Sequence, residues 1–333
     1  MTTESLDVSS PARGANPALA WLRARWAYQQ GAWFGPADPR VLAIARVLVF
    51  WYIWPGLRIE DYSNYADFKS AAWYPVSFFK SGLVPLLDAP GLHVLCVIAM
   101  IASACALVGF LYPLSAPVTA LVTLYLRGVP QNFGKVNHSE NLFILVLFIF
   151  AFARAADAWS LDALLARRLR KAPYPRPASG DYRWPLRFVT LLLVTMYAAA
   201  GACKLINSGW EWALSDSFRR LLLRHHFTHH PPTHIGVWIA DNPRLCKALA
   251  FMALCTELSA PLALLGRWLA AVILPGLFLL QVSIWLLLGV KFSPMLPLFL
   301  CLLPWNAVLI ALDRAKAWLG AFLAARRTPM AWR

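Results

Sequence analysis

Residues 184–206 read WPLRFVTLLLVTMYAAAGACKLI, an aliphatic run with a lysine, Lys204, near its far end. A helix needs about twenty consecutive apolar residues to cross a bilayer's hydrocarbon core, so this stretch decides the class of protein. An ionisable side chain inside such a helix is expensive and by default raises a functional question. The plain alternative is that Lys204, so close to the end of the run, simply extends to the headgroups. Tyr197, Gly201 and Lys204 recur at helical spacing on one stripe. The small residues around them allow a second helix or a flat ligand to approach closely.

The rest of the chain repeats this pattern. Of 333 residues, 59% are hydrophobic and only 14% charged, with the charges clustered between long apolar runs. That describes an all-α, polytopic membrane bundle, because a soluble domain has nowhere to hide so much apolar surface. The net charge of +15 gathers in particular loops, which argues for membrane topology and against a nucleic-acid partner. The six cysteines lie in or beside apolar runs without metal or redox spacing, and read as small packing residues. The polar N-terminus lacks an apolar core, so no cleavable signal peptide is expected.

Three regions follow. Residues 1–37 combine a polar tail with an interfacial helix, in which Leu19, Trp21, Leu22, Trp26 and Trp33 alternate with Arg23 and Arg25. Residues 38–313 form the transmembrane domain, and residues 314–333 a basic tail. Eight spans are predicted, at about 38–57, 91–111, 113–128, 139–157, 185–206, 244–264, 267–289 and 293–312. The densest basic cluster, from Arg154 to Arg187, and the tail with Arg314, Lys316, Arg326 and Arg327 then share one side. The excess of arginine and lysine makes that side cytoplasmic, placing both termini inside the cell's inner membrane.

This topology pairs residues by depth. The fourth span opens just after Asn137-His138-Ser139-Glu140 and the fifth ends near Lys204, so His138 and Lys204 should share a depth near the outer leaflet. Asn137 with Glu140 resembles a capping box, while His138 is also suited to bond or exchange a proton with a polar ligand. Arg46 and Glu257 each fall about 12 Å from the inner end of their spans. Buried opposite charges at one depth usually pair, so a structural Arg46–Glu257 ion pair is expected. Five of the seven histidines crowd into 225–234. There His226-Phe-Thr-His229-His230 resembles a single histidine box of membrane di-iron hydroxylases. Such enzymes need several boxes, so a solvated loop is the preferred reading and no metal is expected.

Three stretches resemble one family. Val136-Asn137-His138-Ser139, followed by Ala158-Trp159-Ser160-Leu161-Asp162-Ala163-Leu164-Leu165, is similar to the central region of vitamin K-dependent gamma-carboxylase. Tyr197 to Leu205, with Trp210 just beyond, resembles that family's Tyr-x-x-Ala-Gly-x-x-Lys-Leu run. The likeness extends over roughly residues 38–310 and is shared with the bacterial relatives grouped as HTTM proteins, which have the carboxylase's membrane domain.

The resemblance implies a gamma-carboxylase-like membrane fold and a chemistry. In that family a membrane lysine deprotonates vitamin K hydroquinone, and oxygen addition gives a strongly basic alkoxide on the way to the epoxide. That base removes a gamma proton from a peptide glutamate, and the carbanion takes up carbon dioxide. The base aligns with Lys204, and the motif histidine with His138 beside Asn137. Tyr197, Gly201 and Trp210 are the accompanying ligand-binding candidates. A lysine acts as a base only when uncharged, a form that desolvation favours. The implied cofactors are a reduced quinone (vitamin K hydroquinone, or menaquinol in a bacterium), O2 and CO2. A secreted peptide, or a partner protein that delivers it, joins the bilayer and the quinol as partners. Three departures stand out. The carboxylases' lumenal domain has no counterpart here, and Leu279, Leu280 and Gln281 stand where a histidine is expected. The family's paired lysines appear as Cys203-Lys204. The rival readings are a non-catalytic membrane factor for maturation or export of a secreted peptide, and the histidine-box hydroxylase.

Overall fold

A computed structural model describes residues 17–59, 62–68, 72–134, 140–170, 176–228 and 234–327. Among these residues the architecture is helical, with an isolated antiparallel bridge between Ala37 and Ser179 and no strand. Two helices lead the chain: α1 (Pro17–Phe34) and α2 (Pro39–Ile59). The hairpin α3 (Ala89–Val108) and α4 (Tyr112–Gly128) follows, then α5 (Asn141–Phe152) and the short α6 (Leu161–Arg170). The Lys204 helix is α7 (Trp184–Ser208). Beyond it come α8 (Ser217–Thr228), α9 (His234–Ala240), α10 (Pro243–Ser259) and α11 (Arg267–Leu288). The chain closes with α12 (Met295–Cys301) and α13 (Trp305–Arg327).

Local signals set the ends. Asp88 caps α3, its Oδ1 accepting from the Gly91 amide at 3.0 Å, with a proline in the first turn. The helix stops at Gly109, whose φ of +66° is the left-handed geometry a C-terminal glycine adopts without strain. Asn242 caps α10 through the Leu245 amide at 3.1 Å, and Gly289 ends α11 at φ +67°.

All eight positions expected to span carry helices. Among the described residues four of them are long and apolar enough to cross a bilayer: Ala89–Val108, Gly180–Ser208, Pro243–Leu264 and Arg267–Leu288. A fifth results if Met295–Cys301 and Trp305–Leu323, bent by 56°, make one broken span. Two of the others fall short in length. Helix α4 has 17 residues and α5 has 12, both shorter than a full crossing requires.

One continuous core joins α2, α3, α4, α5, α7, α11 and α12, with Leu42, Phe50, Leu92, Leu147, Leu193 and Leu277 buried at its centre. The outer surface stays apolar. Trp268 is 76% exposed and Val272 74%, a face that suits lipid and that a soluble monomer would not present. The chain is therefore a multi-pass membrane protein. The aromatics of the 58–90 loop mostly pack on the protein itself: Trp73 meets Phe79 and Phe133 at 5.8 and 5.5 Å, and Phe79 meets Tyr125 at 5.5 Å. Asn132 staples this cluster, its Oδ1 accepting from the Val76 amide at 2.8 Å.

Candidate functional site

Helix α7 carries Tyr197, Gly201 and Lys204 on the stripe that the sequence indicated. It packs against α10, and the closest approach is at Gly201. A Cβ added there would stand 3.0 Å from the Glu257 Cβ and 3.1 Å from the Leu258 side chain. Glycine thus lets the two helices meet and brings Lys204 against Glu257. Lys204 Nζ donates a hydrogen bond to Glu257 Oε1 in a direct ion pair. The Glu257 side chain is 5% exposed and that of Lys204 26%. Lys204 Nζ also lies 4.4 Å from the Trp212 ring centroid, where the ring's negative face favours a cation.

The other carboxylate oxygen, Glu257 Oε2, is buried without a hydrogen-bond partner among the described residues. Native structures rarely strand such an atom, since an unsatisfied buried polar group costs about 1–3 kcal/mol. A second orphan follows: Tyr197 donates to Gln281 Oε1 at 2.9 Å, while Gln281 Nε2 is buried and has no partner among the described residues.

Lys204, Glu257 and Trp212 share the wall of a cavity of about 550 Å³. Its remaining lining is largely apolar and comes from α8, α10 and α11, with Leu221, Leu249, Met252, Leu279, Leu280 and Ile284 among it. A mostly hydrophobic cavity of several hundred Å³ with a few convergent polar groups is the usual form of a small-molecule site.

The expected site residues divide accordingly. Lys204 is at the cavity. Tyr197 and Gly201 are not among its lining residues; both are buried in the α7 interface, Tyr197 with its ring 6.4 Å from Phe299. Trp210 is exposed beside Phe251, and its neighbour Trp212 takes the place at the lysine. Asn137 and His138 lie outside the described residues, as do His229 and His230. His226 sits in α8 with its ring 5.7 Å from that of His234. Among the described residues no three His, Cys, Asp or Glu side chains converge as a metal site.

One expectation is corrected. Arg46 does not pair with Glu257. It is 1% exposed and donates to the carbonyls of Leu107, Ala155, Ala158 and Trp159 at 3.1, 2.8, 3.2 and 2.6 Å. Counting residues along two helices does not fix which way their side chains point, and each residue meets other partners. The expected capping box of Asn137 and Glu140 rests on Asn137, which lies outside the described residues; the Glu140 carboxylate meets Arg127 at 3.2 Å.

Trp212 and Gln281 were missed. Trp212 lies eight residues after Lys204, where Gly209 breaks the helix and folds the chain back, a turn that spacing alone does not reveal. Gln281 was legible as the polar residue in an otherwise apolar span. The fold and site define a polytopic helical membrane protein with an ion pair set in the wall of an apolar cavity. Residues 34–303 match the HTTM domain, and the chain belongs to that family. No curated protein and no solved structure matches it.

Proposed function

We propose that this chain is a quinol-dependent oxygenase of the bacterial inner membrane, with Lys204 and Glu257 as the proton-handling pair of its cavity. The supporting observation is Glu257 Oε2, a buried acceptor without a partner among the described residues, on the wall of an apolar cavity and beside a lysine. A ligand hydroxyl would satisfy it. A reduced quinone fits on three counts: it carries hydroxyl donors on a flat ring, its tail is apolar, and the cavity volume of about 550 Å³ lies in the range of such sites. When bound, the quinol supplies the reducing equivalents for reaction with oxygen.

The residues' own part is proton management. Lys204 and Glu257 hold one proton between them as an ion pair, or as amine and acid, with no change in net charge. With that proton on Glu257, Lys204 Nζ is free to accept one from a ligand hydroxyl, and the pair's net positive charge is then balanced by the anion that the ligand becomes. Trp212 favours the cationic form and shields the pair. In this reading Asn137 and His138 complete the site, the eight helices span with both termini cytoplasmic, and menaquinol is the physiological reductant. Carbon dioxide capture and a secreted peptide delivered by a partner protein would extend the chemistry to carboxylation.

The ion pair also bridges α7 and α10, which a non-catalytic factor for peptide maturation or export would need equally. One experiment separates the two. Purified protein in lipid is given vitamin K hydroquinone or menaquinol, and oxygen uptake and epoxide formation are followed beside Lys204→Ala. Epoxide that disappears in the variant supports the oxygenase. No epoxide with either quinol, from folded protein, transfers the assignment to the maturation factor.

A further inference from the structure

We propose that a second cavity, between α2, α3 and α6, holds the headgroup of an anionic phospholipid, independently of any chemistry at Lys204. This cavity, of about 660 Å³, is lined by Arg46 and Arg167 among mostly apolar side chains, with no acidic side chain on its wall among the described residues.

Its charge is unusual. All four hydrogen-bond acceptors of the buried Arg46 guanidinium are backbone carbonyls, so no carboxylate cancels its charge through a direct bond. The nearby acid, Asp162, commits its two oxygens to the amides of Leu111 and Tyr112 at 2.9 and 2.8 Å. Asp162 therefore offsets the guanidinium's charge only through space, without a direct bond, and an anion in the adjoining cavity would lower the remaining cost of burying it.

Shape and surface point to a lipid as the source. The walls contributed by Val47 and Val108 continue to the outside, where these residues are 41% and 43% exposed, a course for acyl chains. Helix α6, LDALLARRLR, shows Leu161, Leu164, Leu165 and Leu169 to the exterior together with Arg167 and Arg168. Leucine and arginine on the exposed side of a short helix describe an element lying in the membrane interface. A phosphodiester matches guanidinium geometry. The ammonium of a zwitterionic lipid would find no carboxylate on the cavity wall, so the site selects a lipid with net negative charge.

Native mass spectrometry of the full chain in detergent tests this, because counting retained lipids there removes bulk surface attraction. Phosphatidylglycerol should be retained in preference to phosphatidylcholine. Arg167→Gln should weaken phosphatidylglycerol by about fivefold, as expected for one arginine near an anionic headgroup. Lys316→Gln, an equal charge change on the exposed tail, should leave it unchanged, and thermal melts in detergent without lipid confirm that both variants are folded. Equal retention of the two lipids overturns the proposal. So does undiminished phosphatidylglycerol binding by folded Arg167→Gln. Displacement of the lipid by soluble glycerol phosphate would show a phosphate site without an acyl requirement, and would overturn the lipid assignment as well.

Discussion

Asp162 caps a helix that begins fifty residues earlier: its Oδ1 accepts from the Leu111 amide at 2.9 Å and its Oδ2 from the Tyr112 amide at 2.8 Å. Its own amide donates to the Gly109 carbonyl at 2.9 Å, so the turn between α3 and α4 is clamped from both sides. Leu111 and Trp159 hold φ of 47° and 46°, a region that non-glycine residues enter only when surroundings over-determine it. Arg46 binds the Trp159 carbonyl from the opposite side. The run Trp159-Ser160-Leu161-Asp162, part of what carried the resemblance, is therefore a junction of the bundle and not part of the Lys204 site.

Asp162→Ala should lower stability by about 1–3 kcal/mol, because two α4 amides lose their acceptors and the left-handed Leu111 loses its clamp. Asp162→Asn, which keeps one acceptor, should cost less. Thermal unfolding in detergent orders the two variants, and an Asp162→Ala protein as stable as the parent would show that the clamp is not used.

Arg46→Lys keeps the charge but cannot reach four carbonyls, and orphaned buried carbonyls cost about 1–3 kcal/mol each. A loss of at least about 2 kcal/mol is expected. Because Arg46 and Glu257 do not touch, Arg46→Lys and Glu257→Gln should be additive to within about 0.5 kcal/mol. Coupling well above that in a double-mutant cycle would restore the ion pair that the bundle geometry rejects.

The two residues illustrate how much of this molecule was legible. Charges set inside apolar runs are marked by the sequence itself, so Arg46, Glu257 and Lys204 could be singled out directly. The direction in which each side chain points depends on how helices rotate about their axes. That is set by packing contacts such as Gly201 against Glu257, which sequence periodicity does not encode. The helices themselves were legible because apolar runs, prolines and capping residues mark their ends locally. The break at Gly209 that swings Trp212 back over Lys204 is a tertiary consequence, which spacing along the chain does not distinguish from a contact by Trp210.

The Lys204–Glu257 pair gives opposite signals in stability and in activity. Lys204→Met strands a buried carboxylate and should cost about 3–5 kcal/mol. Lys204→Met with Glu257→Met removes both charges, and should recover most of that loss or exceed the parent. If the pair handles protons, the double variant remains inactive in the quinol assay despite its restored stability. Activity that returns with stability would reduce the pair to a structural bridge.

Gly201→Ala and Gly276→Ala make a matched comparison on two helices that each approach α10. Alanine favours a helix over glycine by about 1 kcal/mol, so each substitution starts with the same gain. At Gly276 the added Cβ would meet only the Thr256 Cγ2, at an ordinary 3.8 Å, and the gain should survive. At Gly201 it meets Glu257 Cβ at 3.0 Å and Leu258 at 3.1 Å, so α7 and α10 must separate by a few tenths of an ångström. Overpacking of that kind costs about 1–3 kcal/mol and outweighs the propensity gain. Gly201→Ala should therefore melt below the parent and Gly276→Ala at or above it. The same separation draws Lys204 away from Glu257, so quinol-dependent activity should fall in Gly201→Ala by more than its folded fraction explains. A Gly201→Ala protein with parental stability and rate would mean that the close approach of the two helices does not set the geometry of the pair.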